Sequence, residues 1–131
     1  MNTRGLQKQI GERLRRSEGF TLIELLIVII IIGILLAIAV PSYLGFKDRA
    51  NKAAAKANVR SAIPSIETYF ADTNTYAGMT VTNLKTYDAG LKVSVGTTPA
   101  ASSTTYCVYN TVGNWAYKKV GPGGAITAGS C

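Results

Sequence analysis

Histidine is absent from this chain, cysteine occurs twice and tryptophan once, and seven acidic residues stand against fourteen basic ones. The missing histidine and the scattering of Glu24, Asp48, Glu67, Asp72 and Asp88 leave no pair of groups spaced to act as acid and base, so the chain reads as a non-enzyme. Cys107 and Cys131, with no C-x-x-C spacing and no histidine, cannot fill a zinc shell or hold a haem. No acidic cluster suits calcium, and no phosphate-cradling G-x-x-x-x-G-K sequence is present. The reading is therefore no catalytic residue, no metal and no cofactor.

Polar residues are also nearly missing from one long stretch. Phe20 to Val40 is 21 residues with sixteen large apolar side chains, and after Glu24 only Gly33 and small alanines interrupt them. As a helix it measures about 31 Å, enough to cross a bilayer core. In water, exposing those side chains would cost on the order of 30 kcal/mol at roughly 1.5 to 3 kcal/mol each. Glu24 is the exception within the stretch. An ionised carboxylate inside a spanning segment is costly, less so near its end, and marks a functional position with a partner cation.

The flank before this stretch carries Arg4, Lys8, Arg13, Arg15 and Arg16 against Glu12 and Glu18, which keeps it on the cytoplasmic side and places the C-terminal part of the chain outside. Val40-Pro41-Ser42-Tyr43 has no small-residue pattern for signal-peptide removal. An uncleaved signal anchor would account for length and charge and leave Glu24 unexplained.

The sequence Gly19-Phe20-Thr21-Leu22-Ile23-Glu24-Leu25-Leu26, with Pro41 ending the apolar run, resembles the class III signal of type IV pilins. The resemblance implies cleavage between Gly19 and Phe20 by a prepilin peptidase that also N-methylates Phe20, so residues 1–19 are a leader and the apolar stem is kept. It gives Glu24 a partner: the new amino terminus of Phe20 in a neighbouring subunit, which would set axial register in a filament. It implies self-association into a helical homopolymer, and an inner-membrane platform protein with an assembly ATPase. Transfer from lipid to a bundle of like helices gives little net apolar gain, so an external motor is needed, and this chain has no sequence to replace it.

Beyond the stem the helix is expected to continue. Residues 42–72 place Ala50, Ala53, Ala54, Ala57, Val59, Ala62, Ile63, Ile66, Tyr69 and Phe70 at three- and four-residue spacing, with Lys52, Lys56 and Arg60 on another face. Val59 to Phe70 is the half expected to pack on a sheet. Gly33 and Pro41 mark a stretch for kinking and local unwinding, and the resemblance implies that this stretch loses helicity on assembly. Pro64 either kinks the helix near Arg60 or begins a separate one; the kink is the expectation.

Residues 73–131 change character. Thr73 to Gly78 reads as a loop, and Thr, Ser, Gly and Asn dominate through Thr105. Strands are expected over Leu91–Val95, Thr104–Asn110, Asn114–Val120 and Ala125–Ala128, with turns at Val112-Gly113-Asn114 and Gly121 to Gly124. The inward set is Val108, Trp115 and Tyr117, or their neighbours of opposite parity. On the outer side of a membrane, Cys107 and Cys131 are expected to form a disulfide closing 25 residues. Removing the five basic and two acidic leader residues leaves nine basic against five acidic side chains. Trp115, Tyr117, Lys118 and Lys119 could then form a strip contacting DNA, against the simpler reading of a solvated strand.

The sequence therefore leads to an α+β, pilin-like lollipop: a leader 1–19, a membrane and filament-core helix 20–41, its amphipathic continuation 42–72, and a head 73–131 of three to four antiparallel strands with a C-terminal disulfide. The expected role is a pilus subunit serving adhesion, twitching motility or DNA uptake, held first in the cytoplasmic membrane and then in an extracellular filament. A major pseudopilin of a type II secretion-like system is the alternative within the family. A signal-anchored monomeric binding domain is the alternative outside it.

Overall fold

A computed structural model describes Gly5, residues 7–9, Gly11 and residues 19–131. Of the leader expected over 1–19, residues 1–4, 6, 10 and 12–18 lie outside the described residues. Helix α1, Leu22–Thr73, is followed by a short helix α2, Val81–Leu84, and four strands: β1, Ser94–Val95; β2, Tyr106–Val112; β3, Trp115–Gly121; and β4, Ile126–Ala128. The chain forms two compact units, residues 1–42 and 43–131.

In the first unit, every large apolar side chain from Phe20 to Val40 is roughly half exposed or more. α1 is the one helix among the described residues that is long and apolar enough to cross a membrane. It starts where Thr21 caps it, and Gly33, Pro41 and Pro64 all lie within its bounds. Pro64 therefore does not begin a separate helix. The hydroxyl of Thr68 donates to the Pro64 carbonyl at 2.8 Å, giving that carbonyl a second partner of its own turn.

In the second unit, the sequence periodicity determines the core. Ala55, Val59, Ala62, Ile66 and Tyr69 recur every three or four residues and form the buried stripe of α1. All but Ala55 pack with Tyr76, Met79, Leu84, Leu91, Val93, Tyr106 and Val108 into one cluster. The sheet is an antiparallel meander in the order β1-β2-β3-β4. Its register pairs Val108 with Lys119 and Tyr106 with Gly121. That makes Tyr106, Val108, Trp115, Tyr117 and Lys119 one face, the parity expected first, with Val108 buried and both aromatics half-buried.

Two expectations need correction. The strand expected over 91–95 shrinks to Ser94–Val95, because Leu91 and Val93 turn into the core and the Asn110 amide donates to the Lys92 carbonyl in place of a ladder bond. The stretch after Gly78, expected as loop, contains α2. Thr80 caps it in extended backbone (φ −128°, ψ 161°), its side chain accepting from the Asn83 N–H, and Leu84 is fully buried behind that cap.

Tyr106 is fully buried, and among the described residues its hydroxyl is the one buried side-chain polar atom without a hydrogen bond. A Cβ at Gly121 would lie 2.0 Å from its ring, so glycine is required there. Burial first, then the charges of Glu67 and Tyr76, push the Tyr106 hydroxyl well above the usual tyrosine range. Because the folded pKa lies above the unfolded one, Tyr106 leaves the stability of the fold unchanged with pH below about pH 10 and lowers it as pH rises beyond that, by at most about 1.4 kcal/mol per pH unit. Tyr106→Phe is expected to match or exceed the wild type by up to about 1 kcal/mol at pH 8, since an unpaired hydroxyl leaves the core. Its melting temperature should also decline less between pH 9 and 11. Thermal unfolding of the full chain in detergent checks both; a variant less stable than wild type at pH 8 would show that the hydroxyl is paired.

Candidate assembly site

Thr21 and Glu24 build the start of α1 together. The Thr21 N–H donates to Glu24 Oε2 at 2.9 Å, and the Glu24 N–H donates to Thr21 Oγ1 at 3.3 Å. This reciprocal pair is a capping box, which satisfies two of the backbone donors that a helix start leaves open and places a carboxylate at the positive end of the helix dipole. Thr21 lies outside the expected site residues, although the T-x-x-E spacing is legible in Thr21-Leu22-Ile23-Glu24. The two residues bracketing the expected cleavage, Gly19 and Phe20, precede the helix, and the Phe20 side chain is 84% exposed. The structure thus brings Phe20, Thr21 and Glu24 into one turn of chain.

The disulfide joins the terminal Cys131 to Cys107 on β2, with Cα atoms 6.0 Å apart. A Cβ at Gly96, just past β1, would fall 2.0 Å from Cys131 Cβ, so the bridge packs directly on that glycine. Among the described residues no three histidine, cysteine, aspartate or glutamate side chains gather as a metal site.

The four residues expected as a DNA-contacting strip do not share one surface. Strand alternation puts Trp115, Tyr117 and Lys119 on the face toward α1 and Lys118 on the opposite face. Lys119 is only 8% exposed, and its ammonium donates to the Gly124 carbonyl. The ring faces are occupied by lysines from the helix: Lys52 Nζ lies 3.8 Å from the Trp115 ring centroid, and Lys56 Nζ lies 4.8 Å from that of Tyr117. The Trp115 Nε1–H also donates to Asp48 Oδ1 at 3.3 Å. Spacing alone could not reveal these partners, because Lys52 and Trp115 are 63 residues apart in the sequence.

The pattern described as the prokaryotic N-terminal methylation motif matches residues 14–40. The chain is 38% identical, over 99 residues, to the type IV wide pilus major component PilA4 of Thermus thermophilus, covering 72% of this chain and 73% of that one. This chain belongs to the type IV pilin family. It is 42% identical over 62 residues to the type IV major pilin PilA of Myxococcus xanthus, across 47% of this chain and 28% of that protein. It is also 34% identical over 70 residues to the type II secretion system core protein G of Pectobacterium carotovorum, across 53% of this pilin and 45% of that protein. The pilin thus spans less than half the length of these last two relatives. The relatives are named as filament or secretion-system components, and none of these names denotes an enzyme.

Proposed function

We propose that this pilin polymerises through residues 20–41 into a type IV pilus, after prepilin peptidase cuts between Gly19 and Phe20 and methylates the Phe20 nitrogen. One observation carries the reading: an apolar segment with all its large side chains exposed begins with a carboxylate held in a capping box. A bilayer tolerates the apolar side chains but gives that carboxylate no reason to be there. A filament gives it one, because each incoming Phe20 ammonium needs a neutralising charge in an apolar bundle. The subunit would wait in the cytoplasmic membrane with residues 1–19 on the cytoplasmic side. Extraction then falls to the platform protein and its ATPase.

Intact-mass and N-terminal analysis of material sheared from producing cells tests this. A chain beginning at methylated Phe20 and lighter by two hydrogens for the Cys107–Cys131 bridge is the expected result. A full-length chain confined to the membrane would favour an anchored monomer.

A second reading has its own support in the likeness to the secretion-system core protein G. As a major pseudopilin the chain would form short fibres, and its deletion would stop secretion while surface pili persist. Adhesion, motility and DNA uptake remain roles for the filament. With the Trp115 and Tyr117 rings covered, any DNA contact would rest on lysines alone, and a salt-sensitive gel retardation would detect it.

A further inference from the structure

A second row of side chains runs along α1 beside the buried stripe. Arg49, Ala53, Lys56, Arg60, Ile63 and Glu67 repeat at three and four residues, and all except the half-buried Ile63 are exposed. The row is ordered by charge: three cations come first and one carboxylate ends it. Within the helix these charges find no relief. Lys56 has Lys52 and Arg60 four residues away on either side, like charges that destabilise a helix by a few tenths of a kcal/mol per pair. No residue of opposite sign stands three or four positions from Lys56, Arg60 or Glu67. Lys52, by contrast, has Asp48 four residues before it, and its ammonium lies over the Trp115 ring. Lys56 lies on the Tyr117 ring yet keeps its outer side exposed. The Glu67 carboxylate accepts from the Tyr76 hydroxyl at 3.3 Å, which orients it without neutralising it.

We infer that this row is an ionic seam between copies of the chain, in which Glu67 of one subunit inserts between Lys56 and Arg60 of the next. The inference rests on the polymerisation proposed above. Subunits added by a repeated screw motion all point the same way, so a contact of this kind is head-to-tail and joins different parts of the same surface. Parallel helices shifted by seven residues, about 10.5 Å, bring Glu67 level with the neighbour's Arg60. A shift of eleven residues, about 16 Å, brings it level with Lys56. The seam has one polarity, because the reverse shift sets Glu67 beyond the cations. Apolar burial is insensitive to sliding, whereas this charge order favours one range of axial offsets and penalises others through like-charge contact.

Two measurements on filaments sheared from producing cells test the seam. Glu67→Lys, and separately the pair Lys56→Glu with Arg60→Glu, should each cut the sheared filament yield at least tenfold while membrane levels of the subunit hold. The triple variant with all three charges exchanged should recover at least half the wild-type yield. Normal yield from either partial variant, or no recovery in the triple, overturns the seam. In wild-type filaments, zero-length carboxyl-to-amine coupling should join Glu67 to Lys56. The two lie about 16 Å apart along their own helix, beyond the reach of that chemistry, so such a product must link two copies. Filaments that couple Glu67 elsewhere or nowhere overturn the seam and leave the filament reading standing. A wild type that releases no filaments removes both.

Discussion

Glu24→Val is expected to leave the subunit in the membrane at wild-type level and to lower the sheared filament fraction at least a hundredfold. The variant loses two things. The first is the capping bond to the Thr21 N–H, contributing about 1 kcal/mol. The second is the charge that would neutralise a Phe20 ammonium inside an apolar bundle, and breaking a buried pair by removing one partner costs roughly 3 to 5 kcal/mol. At about 1.4 kcal/mol per factor of ten, the second loss alone exceeds a hundredfold in association. Glu24→Gln separates the two, because the amide oxygen can still accept from Thr21 while the charge is gone. It should fall nearly as far as valine. Shear yields compared with membrane immunoblots decide the matter, and a glutamine variant that assembles as wild type would reduce Glu24 to a helix cap.

The second large effect concerns the disulfide. Cys107→Ser with Cys131→Ser is expected to destabilise the residue 43–131 unit by roughly 3.5 kcal/mol, the chain-entropy value for a closed loop of about 25 residues. For a unit of this size that corresponds to a melting temperature lower by roughly 15 to 25 °C. Gly96→Ala should weaken the same place with both cysteines intact, since the added methyl would stand 2.0 Å from Cys131 Cβ and 2.7 Å from its sulfur. Thermal unfolding with and without reductant distinguishes the two. The serine pair should be indifferent to reductant, whereas wild type should fall to its level on reduction. A serine pair that melts within a few degrees of oxidised wild type would mean that the core alone holds the sheet.

How much of the molecule is legible in the sequence varies with the range of the interaction. The apolar run, the carboxylate in it and the buried stripe of α1 from Val59 to Tyr69 follow from periodicity and transfer energetics, which act residue by residue along one helix. By contrast, Ala50, Ala53, Ala54 and Ala57, placed in the same row, are exposed and Ala55, outside it, is buried, because alanines are too small for their spacing to say which face is covered. The four strands lie within two residues of their expected ends, apart from the first. That strand shortens because two apolar residues, Leu91 and Val93, serve the core directly, and alternation alone cannot distinguish the two uses. Helix α2 escapes a reading by pattern because four residues carry too little periodicity, although Thr80 signals its cap. The capping box differs again: its T-x-x-E spacing is plain, but a charge in an apolar run is the stronger signal and points to a distant partner first. Least legible are the lysines over Trp115 and Tyr117, since a cross-fold contact leaves no trace in local spacing.

Trp115 is the chain's single tryptophan, half-buried between Lys52 and Asp48. Its emission is therefore an optical gauge of how the β2–β3 hairpin seats on the helix, free of any second indole. Loss of the Lys52 ammonium from one face and of the Asp48 acceptor from the ring nitrogen would alter both colour and intensity. The same photons could be followed as subunits leave the membrane, with no label attached.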